Sequence, residues 1–377
     1  MDNFIVSARK YRPIKFEDVV GQDQVAITLR NALKNNHLAQ SFLFCGPRGV
    51  GKTTCARILA KAINCISPSA DMEPCNTCES CTSFNHNASF NIFELDAASN
   101  NSVEDIRILI DQVRFAPQSG KYKVYIIDEV HMLSSNAFNA FLKTLEEPPS
   151  YAIFILATTE KHKIIPTILS RCQIFDFKRI SIADIVFQME KIAKEESINA
   201  DKSALHIIAQ KADGGMRDAL SLFDKMVSFS GKDIKYDQVI ENLNILDYDY
   251  YFKVTDALLV EDSSSTLLIY NEISEKGFDG EIFMLGLSEH FRNLLVCKDS
   301  KTIKLLEIGN ELKDRYLSQS GKTTDAFLLN ALNLANQCDV GYKMSKNKRL
   351  QVELSLLKMC FLNSQISATF GGVDAKK

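Results

Sequence analysis

The chain lacks several features that would set its class at once. Its first ten residues, Met1 to Lys10, do not run from charged to apolar as a secretory signal does, and no stretch of about 18 uninterrupted apolar residues occurs. The expectation is a cytoplasmic protein with no membrane attachment. Positive charge is not in excess either. With a net charge of −3 the chain is not a basic nucleic-acid coat, so contact with DNA would come from a local patch or from assembly with partners. Internal repeats and low-complexity tracts are also missing. What remains is 377 residues, nearly half of them apolar, enough for two or three domains with a core each.

Up to about residue 180, short β-branched and aromatic runs alternate with helical patterns, which predicts βαβ units and a parallel sheet. Five strands are expected, at Ser41 to Cys45, Asn91 to Leu95, Lys123 to Ile127, Ala152 to Ala157 and Ile174 to Phe177. Helices are expected between them at Lys52 to Asn64, Val103 to Phe115, Ala137 to Glu147 and Ile165 to Ser170, with an irregular insert over 65–86. Ser102 and Asp105 are a candidate helix N-cap. Beyond Lys178 amphipathic helices replace strands. They begin near Ile182 and continue at Lys202 to Ala212, Met216 to Ser228 and Tyr236 to Asn242, a small bundle over 179–243. Six further apolar stripes predict an all-helical region over 244–365: Asp249 to Leu258, Ser264 to Ser274, Gly280 to Val296, Ile303 to Gln319, Thr324 to Lys343 and Leu350 to Leu362. A disordered tail is expected over 366–377.

The strand Ser41 to Cys45 runs straight into Gly46-Pro47-Arg48-Gly49-Val50-Gly51-Lys52-Thr53-Thr54, which contains a full phosphate-loop pattern followed by a helix. Glycines let backbone N–H groups turn toward phosphates at the positive end of that helix. Lys52 is expected to hold the β- and γ-phosphates and Thr53 to coordinate Mg²⁺. The apolar strand ending in Asp128-Glu129 supplies the second half of a Mg-ATP site. Asp128 would support the metal, and Glu129 would orient and deprotonate the attacking water. Thr158 and Thr159 follow the strand Ala152 to Ala157, where a hydroxyl could hold that water. Arg171 and Arg217 are candidate γ-phosphate ligands.

Ten cysteines in a chain without an export signal argue for thiols or metal ligands rather than a disulfide scaffold. Cys65, Cys75, Cys78 and Cys81 read Cys-x₉-Cys-x₂-Cys-x₂-Cys. Four thiolates favour a closed structural Zn²⁺ site, with an iron–sulfur cluster and free thiols as alternatives. The insert carries too little apolar material for its own core, so metal would stabilise it instead. Cys45, Cys55, Cys172, Cys297, Cys338 and Cys360 are read as small core residues.

These residues resemble the clamp-loader branch of the AAA+ ATPases. The resemblance rests on Ser7-Ala8-Arg9-Lys10-Tyr11-Arg12-Pro13, Phe16-Glu17-Asp18-Val19-Val20-Gly21-Gln22, Lys143-Thr144-Leu145-Glu146-Glu147-Pro148-Pro149 and Ser170-Arg171-Cys172, and covers about residues 7 to 230. The intact phosphate loop, Asp128-Glu129-Val130-His131 and the cysteine insert together resemble the bacterial gamma/tau family. The resemblance implies an N-terminal segment closing over the adenine, an AAA+ core over 1–178, a lid over 179–243, and a collar domain over 244–365 that joins five subunits. It makes Thr159 the first sensor, Arg217 the second, and Arg171 a finger offered to a neighbour's ATP, and it implies zinc independently. Implied partners are delta, delta-prime and further gamma/tau copies, the sliding clamp, and primer-template DNA in the replisome on the nucleoid. Asn100 and Asn101 are neutral where relatives often carry basic residues, which weakens a salt contact to DNA there. The resemblance also implies that a longer tau form would continue past the collar-like region where this chain stops.

Two other functions compete. Asp128-Glu129-Val130-His131 matches the DExH signature of helicases, yet the later arginine-rich helicase motif is missing and the helical second half offers no second ATPase lobe. An assembly subunit that holds ATP without turning it over is opposed by intact Lys52, Thr53, Glu129 and Arg217.

Overall fold

The computed structural model describes residues 5–86, 88–117, 120–243, 246–306 and 310–365, so the expected tail over 366–377 lies outside the described residues. The chain forms two compact units that divide between Lys235 and Tyr236.

In the first unit five parallel strands form one sheet: β1 (Ser41–Cys45), β2 (Ile92–Asp96), β3 (Lys123–Asp128), β4 (Ala152–Thr158) and β5 (Gln173–Asp176). Their order is β2-β3-β4-β1-β5. The central strands read as near-continuous apolar runs because both faces are covered. Alternate residues serve alternate faces. Phe42, Phe44, Val124, Ile126, Ile153 and Ile155 pack on one side with the helices Asp23–Lys34 and Lys52–Asn64. Leu43, Cys45, Tyr125, Ile127, Phe154 and Leu156 pack on the other with the helices Val103–Val113 and Ser135–Glu146. At the start of Val103–Val113 the Ser102 hydroxyl accepts the Asp105 N–H at 3.2 Å and the Asp105 carboxylate accepts the Ser102 N–H at 3.1 Å, a reciprocal capping box.

The outer strands lie one residue off their expected positions, β2 later and β5 earlier, because edge strands carry a weaker apolar run to mark their ends. The helix Asp23–Lys34 was not expected, although Val25, Ala26, Leu29 and Leu33 form its buried stripe. After β5, the helices Ile182–Glu195, Lys202–Lys211 and Met216–Ser230 form a bundle, tied by an unexpected two-residue parallel pairing of Asn199–Ala200 with Asp233–Ile234.

The second unit is helical throughout its described elements. Tyr248–Leu259, Ser263–Glu275, Gly280–Val296, Asp325–Tyr342 and Lys348–Cys360 surround a core that includes Phe283, Leu287, Phe291, Phe327 and Leu356. The single helix expected over Ile303 to Gln319 is corrected. A short 3₁₀ turn, Thr302–Leu305, stops where Leu306 turns extended, and a separate helix runs Asn310–Lys322. No described helix is long and apolar enough to cross a membrane.

Candidate functional site

The phosphate loop leaves β1 where that strand lies beside β4, and the Gly46 N–H donates to the Thr158 carbonyl at 3.2 Å. Gly46 has φ +151, and a Cβ there would stand 2.5 Å from the Phe177 carbonyl oxygen, so only glycine fits. The helix Lys52–Asn64 has no acidic residue in its first turn, which leaves its positive end free for an anion. Lys52 is buried, and its ammonium donates to the carbonyls of Gly46 at 2.8 Å and Pro47 at 2.7 Å. Burial lowers its pKa, opposed by the carboxylates of Glu129 and Asp128. Val50 is buried in the core beneath the loop.

The sheet order separates β1 from β3 by one strand, and the loop and Asp128 still meet. The Thr53 hydroxyl donates to Asp128 Oδ2 at 2.7 Å, while Asp128 Oδ1 accepts the Glu129 N–H at 2.9 Å. Glu129 is left-handed, with φ +47. Its Oε2 accepts both the Thr159 hydroxyl at 3.0 Å and the Thr159 N–H at 3.2 Å. Thr158 is fully buried and its hydroxyl lies 3.0 Å from His131 Nδ1. The two adjacent threonines therefore face different groups.

Above the loop, the bundle presents Arg217. Its N–H donates to the Gly49 carbonyl at 3.4 Å, and Gly215 lies so close that a Cβ on Gly49 would be 3.3 Å from its Cα. The N-terminal segment closes the side. The Ser7 N–H donates to Asp224 at 2.7 Å and the Tyr11 hydroxyl to Glu196 at 2.5 Å, both on the bundle, while Gln22 donates to the Lys178 carbonyl at 2.7 Å. Together these pieces enclose a cleft of about 880 Å³ lined by Arg12, Arg48, Lys52, Thr53, Asp128, Glu129 and Arg217 among others, with Gly49, Val50, Gly51 and Thr54 along the loop. The cleft is large enough for a nucleotide, with cations, backbone donors and a carboxylate pair converging at one end.

Arg171 is not among the residues lining this cleft. Its guanidinium donates to Glu146 at 2.7 Å and to the Thr167 carbonyl at 2.6 Å.

The cysteine cluster is a separate centre. The Sγ atoms of Cys65, Cys75, Cys78 and Cys81 all lie within 4.8 Å of one another. A tetrahedral Zn²⁺ with Zn–S near 2.3 Å needs sulfur pairs about 3.8 Å apart, so the donor set fits that ion. The N–H groups of Cys75 and Cys78 donate to the sulfurs of Cys65 and Cys75, each at 3.3 Å. Backbone N–H groups of Thr77 and Cys78 hold the Cys75 thiol down at about 5, whereas burial raises that of Cys81.

Residues 21–181 match the family described as DNA polymerase III, delta subunit, and residues 184–232 match the DNA polymerase III clamp loader subunit, ATPase lid domain. DNA polymerase III subunit tau of Bacillus subtilis (strain 168) is 42% identical over 373 residues, covering 97% of this chain and 65% of that protein. The tau subunit of Escherichia coli (strain K12) is 38% identical, covering 94% of this chain and 55% of that protein. The chain thus spans between about half and two thirds of these tau relatives. DNA polymerase III subunit gamma of Buchnera aphidicola subsp. Baizongia pistaciae (strain Bp) is 34% identical over 370 residues, and the match covers 96% of this chain and 98% of that one. The chain belongs to the DNA polymerase III gamma/tau family.

In this gamma/tau chain, two residues without an assigned role, Arg12 and His131, join the site, and Arg57 lies near the first of them. Arg12 reaches the cleft near Arg57, Glu94, Arg217 and Asp128. His131 links Glu129 Oε2 to Glu160 Oε2, at 3.4 Å each, through its two ring nitrogens. Arg57 pairs with Glu94 and stacks over the Phe84 ring at 4.5 Å. The Asp-Glu-Val-His pattern contains His131, but nothing in the pattern points it at Glu160.

Proposed function

We propose that this chain binds Mg-ATP in the cleft, hydrolyses it, and thereby drives the loading of a sliding clamp onto primer-template DNA. The observation that carries the reading is the 2.7 Å hydrogen bond from the Thr53 hydroxyl to Asp128, which brings the phosphate loop and the acidic strand end together. Thr53 and Asp128 would hold Mg²⁺, which neutralises charge on the β- and γ-phosphate oxygens when bound. Lys52, the backbone N–H groups of Gly49 to Thr53 and the Lys52–Asn64 helix end bind the phosphates. Glu129 takes a proton from the attacking water as the γ-phosphoryl group passes to the water oxygen, leaving ADP. Thr159, hydrogen-bonded to Glu129, orients that carboxylate. Arg217 adds charge to the γ-phosphate from the 179–243 lid, and Arg171, held away from its own cleft, serves the site of a neighbouring subunit.

Cys65, Cys75, Cys78 and Cys81 hold a structural Zn²⁺. The helical region 244–365 is the collar that assembles this chain with delta, delta-prime and further gamma/tau copies into a hetero-pentamer in the cytoplasm, at the replisome. Membership of the gamma/tau family and the description of the matched lid domain support this assembly.

Binding and turnover are tested separately. Lys52→Ala is expected to lose ATP binding in equilibrium titration. Glu129→Gln is expected to retain binding while hydrolysis falls by a factor of about 10² or more. Wild-type protein that binds ATP yet releases no phosphate with partners, clamp and primed DNA present would instead be a nucleotide-holding assembly subunit.

A further inference from the structure

The cysteine insert does more than stand on the surface. Its turn Ser69 to Glu73 is closed by the Ser69 N–H donating to the Glu73 carbonyl at 3.0 Å and the Glu73 N–H donating to the Ser69 hydroxyl at 3.1 Å. Glu73, two residues before Cys75, is only 5% exposed. Its Oε2 accepts the backbone N–H of Phe16 at 2.7 Å, and Oε1 lies 3.7 Å from the Arg30 guanidinium. Phe16 itself is buried in the core, between two stretches that line the cleft: Tyr11-Arg12-Pro13 before it and Asp18-Val19-Val20 after it. On its other side the insert grips the phosphate-loop helix. Asn76, between the ligands Cys75 and Cys78, accepts the ammonium of buried Lys61 at 2.6 Å, and Lys61 lies on the helix that opens with Lys52 and Thr53. The insert therefore touches two segments whose other residues line the cleft, the N-terminal stretch through Phe16 and the phosphate-loop helix through Lys61, although neither these two residues nor any insert residue lines the cleft itself.

We propose that the four-cysteine insert is a brace that sets nucleotide affinity, with Glu73 as its positioning residue. Folding of the insert around its bound metal fixes the Ser69 to Glu73 turn, the turn fixes Glu73, and Glu73 holds the N-terminal segment against the nucleotide through Phe16. A hydrogen bond to a charged group in a buried site is strong enough for its loss to be read in affinity. The inference rests on the cleft being the nucleotide site, and Lys52→Ala tests that point independently.

The experiment measures binding of a fluorescent ATP analogue, ATPase KM and kcat with partners and primed DNA, zinc content and melting temperature on the full chain. Glu73→Ala is expected to weaken binding about tenfold and raise KM with little change in kcat, which corresponds to one charge-assisted hydrogen bond. Glu73→Gln keeps an acceptor for the Phe16 N–H and should stay within about threefold of wild type. Glu79→Ala, exposed on the same insert, should bind as wild type does. Stripping the zinc with a chelator, then removing the chelator and restoring excess Mg²⁺, should weaken binding to the wild type by a similar factor and add little to Glu73→Ala, since both break one linkage. Wild-type affinity in Glu73→Ala, or equal and additive losses on chelation, would overturn the brace. If the alanine variant does not fold, Glu73→Asp, which keeps the charge but draws the oxygen back from Phe16, makes the same comparison. If Lys52→Ala binds the analogue as the wild type does, the reading of the cleft fails, whatever Glu73 does.

Discussion

A methyl group added at Gly46 would meet the Phe177 carbonyl oxygen at 2.5 Å, and the backbone there has φ +151, a region that side chains avoid. Gly46→Ala is expected to cost at least about 2 kcal/mol in urea unfolding, and to weaken ATP binding because Lys52 bonds the same peptide's carbonyl. The loop pattern identifies this glycine, but the clash belongs to the strand end that follows β5. The same division runs through the carboxylates. Asp128 and Glu129 are legible as a pair at the end of an apolar strand, whereas Glu73 reads as one more solvated acid until the fold buries it against Phe16. Thr158 and Thr159 are chemically identical neighbours. The register of β4 turns Thr158 to His131 and leaves Thr159 to Glu129, a difference that residue type alone does not show.

At the scale of elements, strands buried on both faces are the easiest to read, and β3 and β4 carry unbroken apolar runs for that reason. Helices in the second unit show apolar stripes, but a stripe does not reveal a buried polar group within it. His290, on the helix Gly280–Val296, is 1% exposed and lies 3.0 Å from the Tyr316 hydroxyl and 2.8 Å from Gln319 Oε1. Burial lowers its pKa from 6.5 to about 4, partly opposed by the bond to Gln319 and by Asp256. Above pH 6.5 the ring is neutral whether folded or not. Between 6.5 and about 4 the unfolded chain binds a proton that the folded unit does not, so stability falls as pH falls through that window. The expected loss from this group is about 3 kcal/mol. Urea unfolding at pH 7.5 and 4.5 checks it: His290→Gln should show a smaller loss than the wild type, and parallel losses would remove His290 as the cause.

At the scale of the whole molecule, the β2-β3-β4-β1-β5 order gathers the ends of β1, β3 and β4 into one site, while Arg171 is held by Glu146 and is not among the residues lining it. If Arg171 serves a neighbour, Arg171→Ala should lower turnover of the assembled complex by about 10³-fold or more. A co-assembled mixture of Arg171→Ala with Lys52→Ala subunits should then recover turnover above either variant alone, because one supplies an intact site and the other an intact arginine. A mixture no faster than its components would place the arginine in its own subunit's chemistry. By itself the sequence determined the βαβ layout of the first unit, the phosphate loop, the acidic strand end and the four-cysteine spacing, since each depends on residues close in the chain and on a local periodicity. Only the tertiary structure decided that Thr53 meets Asp128, that Thr159 meets Glu129, and that the cysteine insert grips Phe16 and Lys61. Those contacts join residues between 15 and 75 positions apart, and nothing local in either partner encodes the strand order and the buried turn that bring them together.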